Sequence, residues 1–187
     1  MKSFVNRPLL QREGCFLLVE FCGKRPTIHP TAFVDPQARI AGDVVVSEEA
    51  VIFYGSVVRG DEERVFIGRG AVVLENCVIE APSGHPVSIG EYAMVSHGAI
   101  VHGAVVGAGA LVGIGAIVLD GASIGEEAIV AAGSVVAPGA SIPPKTLVMG
   151  SPAKPVRKLS DEELAGLRRG VEKVIKKAKV YREALRL

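Results

Sequence analysis

Residues 106–136 read VGAGAL VGIGAI VLDGAS IGEEAI VAAGSV V, written here in blocks of six. Each block opens on an aliphatic residue: Val106, Val112, Val118, Ile124, Val130 and Val136. A small residue stands four places later, as at Ala110, Ala116, Ala122, Ala128, Ser134 and Ala140. A helix with 3.6 residues per turn would scatter a six-residue period over different faces, so the pattern excludes an amphipathic helix. The glycines and β-branched residues weigh against helix as well. A short strand and a turn in every block fit. Three blocks then close a triangular coil of eighteen residues. The aliphatic side chain points inward, the small residue fits near the corner, and successive coils stack about 4.8 Å apart.

The frame extends from about Thr27 to about Ala153, through Ile28, Val34, Ile40, Val46, Ile52 and Val58, then Ile67, Val73 and Ile79, then Ile89, Val95 and Val101, and on to Ile142 and Val148. Coil starts at Ile28, Val46, Ile67, Ile89, Val106, Ile124 and Ile142 are separated by 18, 21, 22, 17, 18 and 18 residues. The two long intervals predict loops in Gly60–Phe66 and Ala81–Ser88, and the short one falls around His97–Ala104. Such departures from a repeat tend to mark the working face. The expected architecture is an all-β parallel β-helix of about seven triangular coils with a C-terminal α-helix. Residues 1–26 form an N-terminal extension or cap, 27–159 the repeat, and 160–187 the helix. Ser160-Asp161-Glu162-Glu163 is a capping box that opens a helix to about Arg186. Its apolar stripe is Leu164, Leu167, Val171, Val174, Ile175, Ala178 and Leu185, and this face covers the prism or a neighbouring subunit.

Composition narrows the function. The 187 residues carry a formal net charge of +1, which argues against a nucleic-acid partner because that surface needs a basic stripe. With no Trp, three Tyr and six Phe, the core must be aliphatic. No stretch is long enough for a membrane span, and the apolar run Cys15–Val19, bounded by Glu13 and Glu20, is too short and too charged for a secretory signal. The chain is read as cytoplasmic. Cys15, Cys22 and Cys77 make no CxxC pair, so a cysteine zinc site is not expected. A Cys15–Cys22 strand over the first coil, a disulfide between these two, and unpaired thiols are the open readings.

The register places polar residues. Val58, Ile79 and Val101 occupy the third strand of consecutive coils, so Arg59, Glu80 and His102 form one outward column with neighbours about 5 Å apart. His97 lies on the preceding face, across a corner. Two histidines and a carboxylate suit a divalent metal, zinc or Fe(II). An ion-pair ladder along Arg59, Glu80 and His102, with backbone-bonded histidines, is the other reading of the same residues. His29, beside Pro30, is expected to be structural. His85, in the loop after Glu80, is either exposed or a further ligand.

Four segments carry a resemblance: Val58-Arg59-Gly60-Asp61, Ser96-His97-Gly98-Ala99-Ile100-Val101-His102-Gly103, Val118-Leu119-Asp120-Gly121 and Gly150-Ser151-Pro152-Ala153-Lys154. Together, over about Pro26 to Glu163, they resemble the γ-class carbonic anhydrase-like proteins of the hexapeptide-repeat superfamily. The resemblance implies a left-handed β-helix, an exception to the usual crossover hand. It also implies a homotrimer, metal sites at the subunit interfaces and reversible hydration of CO2 to bicarbonate. His97 matches the second metal ligand, given by a neighbouring subunit, and His102 the third. Arg59 and Asp61 match the arginine–aspartate pair of the trimer interface. Glu62 follows them, as in some members, and is the candidate catalytic residue. The family's first histidine ligand is here Glu80, its reactant-positioning glutamine is Leu74, and its asparagine is Val72. The resemblance therefore implies a zinc or Fe(II) centre of Glu80, His97 and His102. Two alternatives come with the fold. One is a hexapeptide acyl- or acetyltransferase with His97 as general base, although no phosphate-binding loop for coenzyme A is legible. The other is an inactive trimeric scaffold in which an Arg59–Glu80 salt bridge replaces the metal.

Overall fold

The computed structural model describes residues 17–185 and shows the stacked prism. Every inward aliphatic lies over the equivalent residue of the next coil. On the first face Ile28 pairs with Val46, Val46 with Ile67, Ile67 with Ile89, Ile89 with Val106, Val106 with Ile124 and Ile124 with Ile142. On the third face the run is Ile40, Val58, Ile79, Val101, Val118 and Val136. All of these pairings are parallel, and the inward residues, with the small corner residues Ala71, Ala93, Ala99, Ala110, Ala116, Ala122 and Ala128, form one continuous buried core. An aliphatic core without large rings suits a prism whose interior is one side chain deep.

The N-terminal strand Leu17–Val19 lies parallel to Arg39–Ala41 at the end of the prism, with Leu18 against the core. Cys15 lies outside the described residues, and with it the reading that pairs Cys15 with Cys22; Cys22 itself is exposed. The predicted loop at Gly60–Phe66 is corrected. These residues belong to one continuous strand, Val57–Ile67, which turns the corner while paired to Arg39–Val46, with a register shift between Gly42 and Val44. The added residues are absorbed because the neighbouring strand is also long and the pair bends as a ribbon. The second long interval is a turn at Pro82–Pro86 leading into the strand Val87–Ile89. At the far end Thr146–Gly150 folds back on Ala153–Lys158 as an antiparallel pair that closes the prism edge.

The second face differs from the other two. Its outward residues Phe33, Val51 and Val72 are buried together with Phe53 and Leu74 beneath Val171 and Ala178 of the helix α1 (Asp161–Leu185). The helix thus covers this chain's own prism. Tyr181 adds an edge-on ring contact to Phe53, centroids 5.5 Å apart. Leu185, placed on the apolar stripe from sequence, is instead 43% exposed, because the seat ends at Phe33 and the last turn runs past it. No helix among the described residues is long and apolar enough to cross a membrane.

The start of α1 bears out the capping box. Glu163 N–H donates to Ser160 Oγ at 3.2 Å, and Ser160 N–H donates to Glu163 Oε2 at 2.9 Å. Arg157 adds a two-pronged contact to the same carboxylate, 2.8 Å on each oxygen. Arg157 and the Ser160 N–H hold the Glu163 carboxyl down at about 2. A lowered native value stabilises the fold above the unfolded value of 4.5, and that contribution is lost as the pH falls through about 2. The expected result is a urea midpoint for the wild type above that of E163Q at pH 7, with the two converging near pH 2. Because Glu163 is at the surface, the gap at pH 7 is small.

Candidate functional site

The third face carries the column expected from the register: Arg59 is paired with Glu80, and Glu80 with His102. Their side chains interact. Arg59 Nη2 donates to Glu80 Oε1, and Arg59 Nε stands 3.3 Å from Asp61 Oδ2. The Glu80 and Asp61 carboxylates raise the Arg59 guanidinium further above its ordinary value, Glu80 first. The second oxygen of Glu80 lies 3.9 Å from His102 Nε2. His102 Nδ1 is bonded to Asp120 Oδ1, a residue one coil further on. Asp120 sits within a quoted motif, yet sequence reading assigned it no role. The available signal is its separation of eighteen residues from His102, one coil of this repeat, although it lies one place further round the corner.

Such an arrangement is what a histidine ligand needs. A carboxylate on one ring nitrogen fixes the tautomer and orientation, leaving the other nitrogen's lone pair for a metal. Tetrahedral ligands bound at about 2.0–2.2 Å stand about 3.4 Å from each other, so Glu80 and His102, 3.9 Å apart, would have to draw slightly together to share an ion. The donor set on one chain is nevertheless incomplete: among the described residues no three His, Cys, Asp or Glu side chains are grouped to hold a metal.

His97 is not brought to this column. It projects from the adjacent corner, with its side chain 51% exposed, and its Nδ1 stands 2.6 Å from Glu75 Oε2. The contact makes no hydrogen bond, so Glu75 Oε2 is buried without a partner. Asp61 Oδ1 is likewise buried and without a partner.

Glu62 is bonded to a neighbouring turn. Its Oε2 accepts from Ser83 N–H at 2.6 Å, and Glu63 Oε1 accepts from Gly84 N–H at 3.2 Å. The two acids tie down the turn after Glu80. This turn lays His85 over Gly103, whose φ of +59° is left-handed, and a Cβ at Gly103 would stand 2.8 Å from His85 Cβ. His29 is away from the site and bonds Thr31 Oγ1 through Nδ1 at 2.9 Å. Cys77 is a core thiol: Sγ donates to Ser96 O at 3.0 Å, and burial pushes it up to about 11, so it is neither nucleophile nor ligand. Leu74 and Val72 lie in the apolar seat of α1. Their change from polar types in the resembled family is thereby given a packing role.

The fold and the site together define a hexapeptide-repeat left-handed β-helix protein. A family model described as bacterial transferase hexapeptide (six repeats) matches residues 103–138. Carnitine operon protein CaiE of Escherichia coli O157:H7 is 43% identical over 144 residues, covering 77% of this chain and 74% of the relative. A candidate acetyltransferase of Bacillus cereus superposes with a TM-score of 0.89 at 35% identity, covering 91% of this chain and 99% of the other. A hexapeptide transferase family protein from Anaplasma phagocytophilum gives 0.85 at 34%, covering 88% and 98%. The chain belongs to the γ-class carbonic anhydrase-like group of hexapeptide-repeat proteins that includes CaiE.

Proposed function

We propose that this protein is a homotrimer with a divalent metal, zinc or Fe(II), at each subunit seam, held by Glu80 and His102 of one subunit and His97 of the next. The observation that carries this reading is His102, set between Asp120 at Nδ1 and Glu80 3.9 Å from Nε2. The surface supports the assembly. Beside the polar column the third face carries an apolar stripe of Val57 and Val78, which are exposed, and Ile100, Ile117 and Val135, which are half-buried. Ile114, above His97 on the neighbouring corner, is 57% exposed. Closing these surfaces against a second copy buries apolar area that a monomer leaves in water.

A divalent ion at such a seam supplies Lewis acidity for the hydration of CO2 to bicarbonate. This chain's residues set how well. Glu80 brings a negative charge in place of a neutral imidazole and so weakens that acidity, and Arg59 competes for the same carboxylate. Leu74, 8% exposed in the apolar seat, offers no hydrogen bond to orient reactants. Hydration is therefore expected to be slow by the standards of the family. The test is elemental analysis of protein purified without added metal, with about one zinc or iron per subunit expected. A chain with no stoichiometric metal, unaltered in H97A or H102A, overturns the reading.

Acetyl or acyl transfer is the second reading. It is favoured by the similarity to the Bacillus and Anaplasma proteins and by the Glu75–His97 pair, which has the make-up of a general base and its orienting carboxylate. Thermal stabilisation by acetyl-coenzyme A, absent in H97A, would favour it over the metal centre.

A further inference from the structure

The corner that carries His97 is itself a ladder. Asn76 N–H donates to Tyr54 O, Gly98 N–H to Glu75 O, and Gly115 N–H to His97 O, at 3.2, 2.9 and 3.0 Å. Tyr54, Glu75, His97 and Ile114 are thus stacked on successive coils. Glu75 lies between two polar neighbours. Tyr54 stands one coil below, and the charge of the Glu75 carboxylate raises its phenol above the ordinary value. On the other side Glu75 Oε2 is shut off from water, without a hydrogen bond, 2.6 Å from His97 Nδ1. A buried carboxylate oxygen left without a donor is costly, and a small rotation of the half-exposed imidazole puts its N–H in line. The His97 side chain is 51% exposed and that of Glu75 20%, so the imidazole stands at the surface with the carboxylate behind it.

We infer that Glu75 and Tyr54 are positioning residues for His97: the Glu75 carboxylate keeps the His97 proton on Nδ1 and so turns the Nε2 lone pair outward, across the subunit seam. Tyr54 braces the carboxylate from below. The inference rests on the proposed role of His97 at a shared metal centre, but it concerns the tautomer, which can be read without metal. His97 then mirrors His102: each is held by a carboxylate at Nδ1, from the coil before in one case and the coil after in the other.

Two measurements separate the inference from the metal reading. The first is the tautomer of His97 in metal-stripped protein at neutral pH, by two-bond proton–nitrogen correlation with H97Q for assignment. The Nδ1–H form is expected in the wild type and in E75Q, whose amide oxygen still accepts. A shift towards Nε2–H is expected in E75L. A wild-type ring that is Nε2–H or mixed, or a tautomer unmoved in E75L, overturns the inference. The second is zinc titration. Loss of an outer-shell partner should weaken zinc about 10–100-fold in E75L, with E75Q between E75L and the wild type and Y54F nearest the wild type. Equal zinc affinity in all four overturns the inference. The expected tautomers in a chain that takes up no zinc would support the positioning and sink the metal centre.

Discussion

Co-expression of H97A chains with H102A chains should restore metal to a protein that neither variant holds alone. In the proposed trimer each seam takes Glu80 and His102 from one subunit and His97 from the next. An H97A chain still offers Glu80 and His102, and an H102A chain still offers His97, so a seam with the first before the second is whole. Random assembly of equal amounts makes roughly one seam in four complete. Each single variant loses a ligand at every seam, a larger loss than the 10–100-fold that follows removal of an outer-shell partner. Tagged subunits purified in tandem, with zinc counted per trimer, give the readout. Were His97 to bend back to its own His102, no mixture could recover metal. Retention of full metal by either single variant would remove that residue from the ligand set.

The second large effect lies in the core. Ile79→Ala should cost about 2–5 kcal/mol, read as a fall in the urea midpoint with the slope unchanged. Ile79 is fully buried, and its register partners Val58 and Val101 stand on the coils before and after. Backbone hydrogen bonds fix the spacing of those rungs, so the walls cannot close over the missing atoms. The hole lies directly beneath Glu80, and the same variant should therefore disturb the polar column. Ser123, facing outward on the first face, provides the comparison: Ser123→Ala should stay within about 0.5 kcal/mol. A core variant as mild as the surface one would show that the coils relax along the axis.

The repeat made the fold legible. One inward aliphatic in every six residues can be buried only by a short strand and a turn, and the pairings from Ile28 to Ile142 follow the frame residue for residue. The same counting set Arg59, Glu80 and His102 side by side, because register in a parallel stack is arithmetic. It failed where the count broke. Gly60–Phe66 has three residues beyond the frame, and sequence cannot say whether extra chain loops out or is carried in a bent strand pair; the pairing with Arg39–Val46 decided it. Glu62 illustrates a different limit. The resemblance makes it the candidate catalytic residue, and its contact with the Ser83 N–H lies in a turn whose path the repeat does not specify.

What the sequence alone determined is the period, hence the prism, its inward residues and the column on its third face. The tertiary structure decided what lies across the corners. Asp120 reaches His102, Glu75 and Tyr54 stand behind His97, and α1 settles on Val72 and Leu74 of its own prism. The physical reason is that a strand repeat fixes side chains only along a face, two residues per rung. Where the chain turns, a left-handed or bent residue sets the direction of its neighbours, and those angles follow from packing against other coils and the helix.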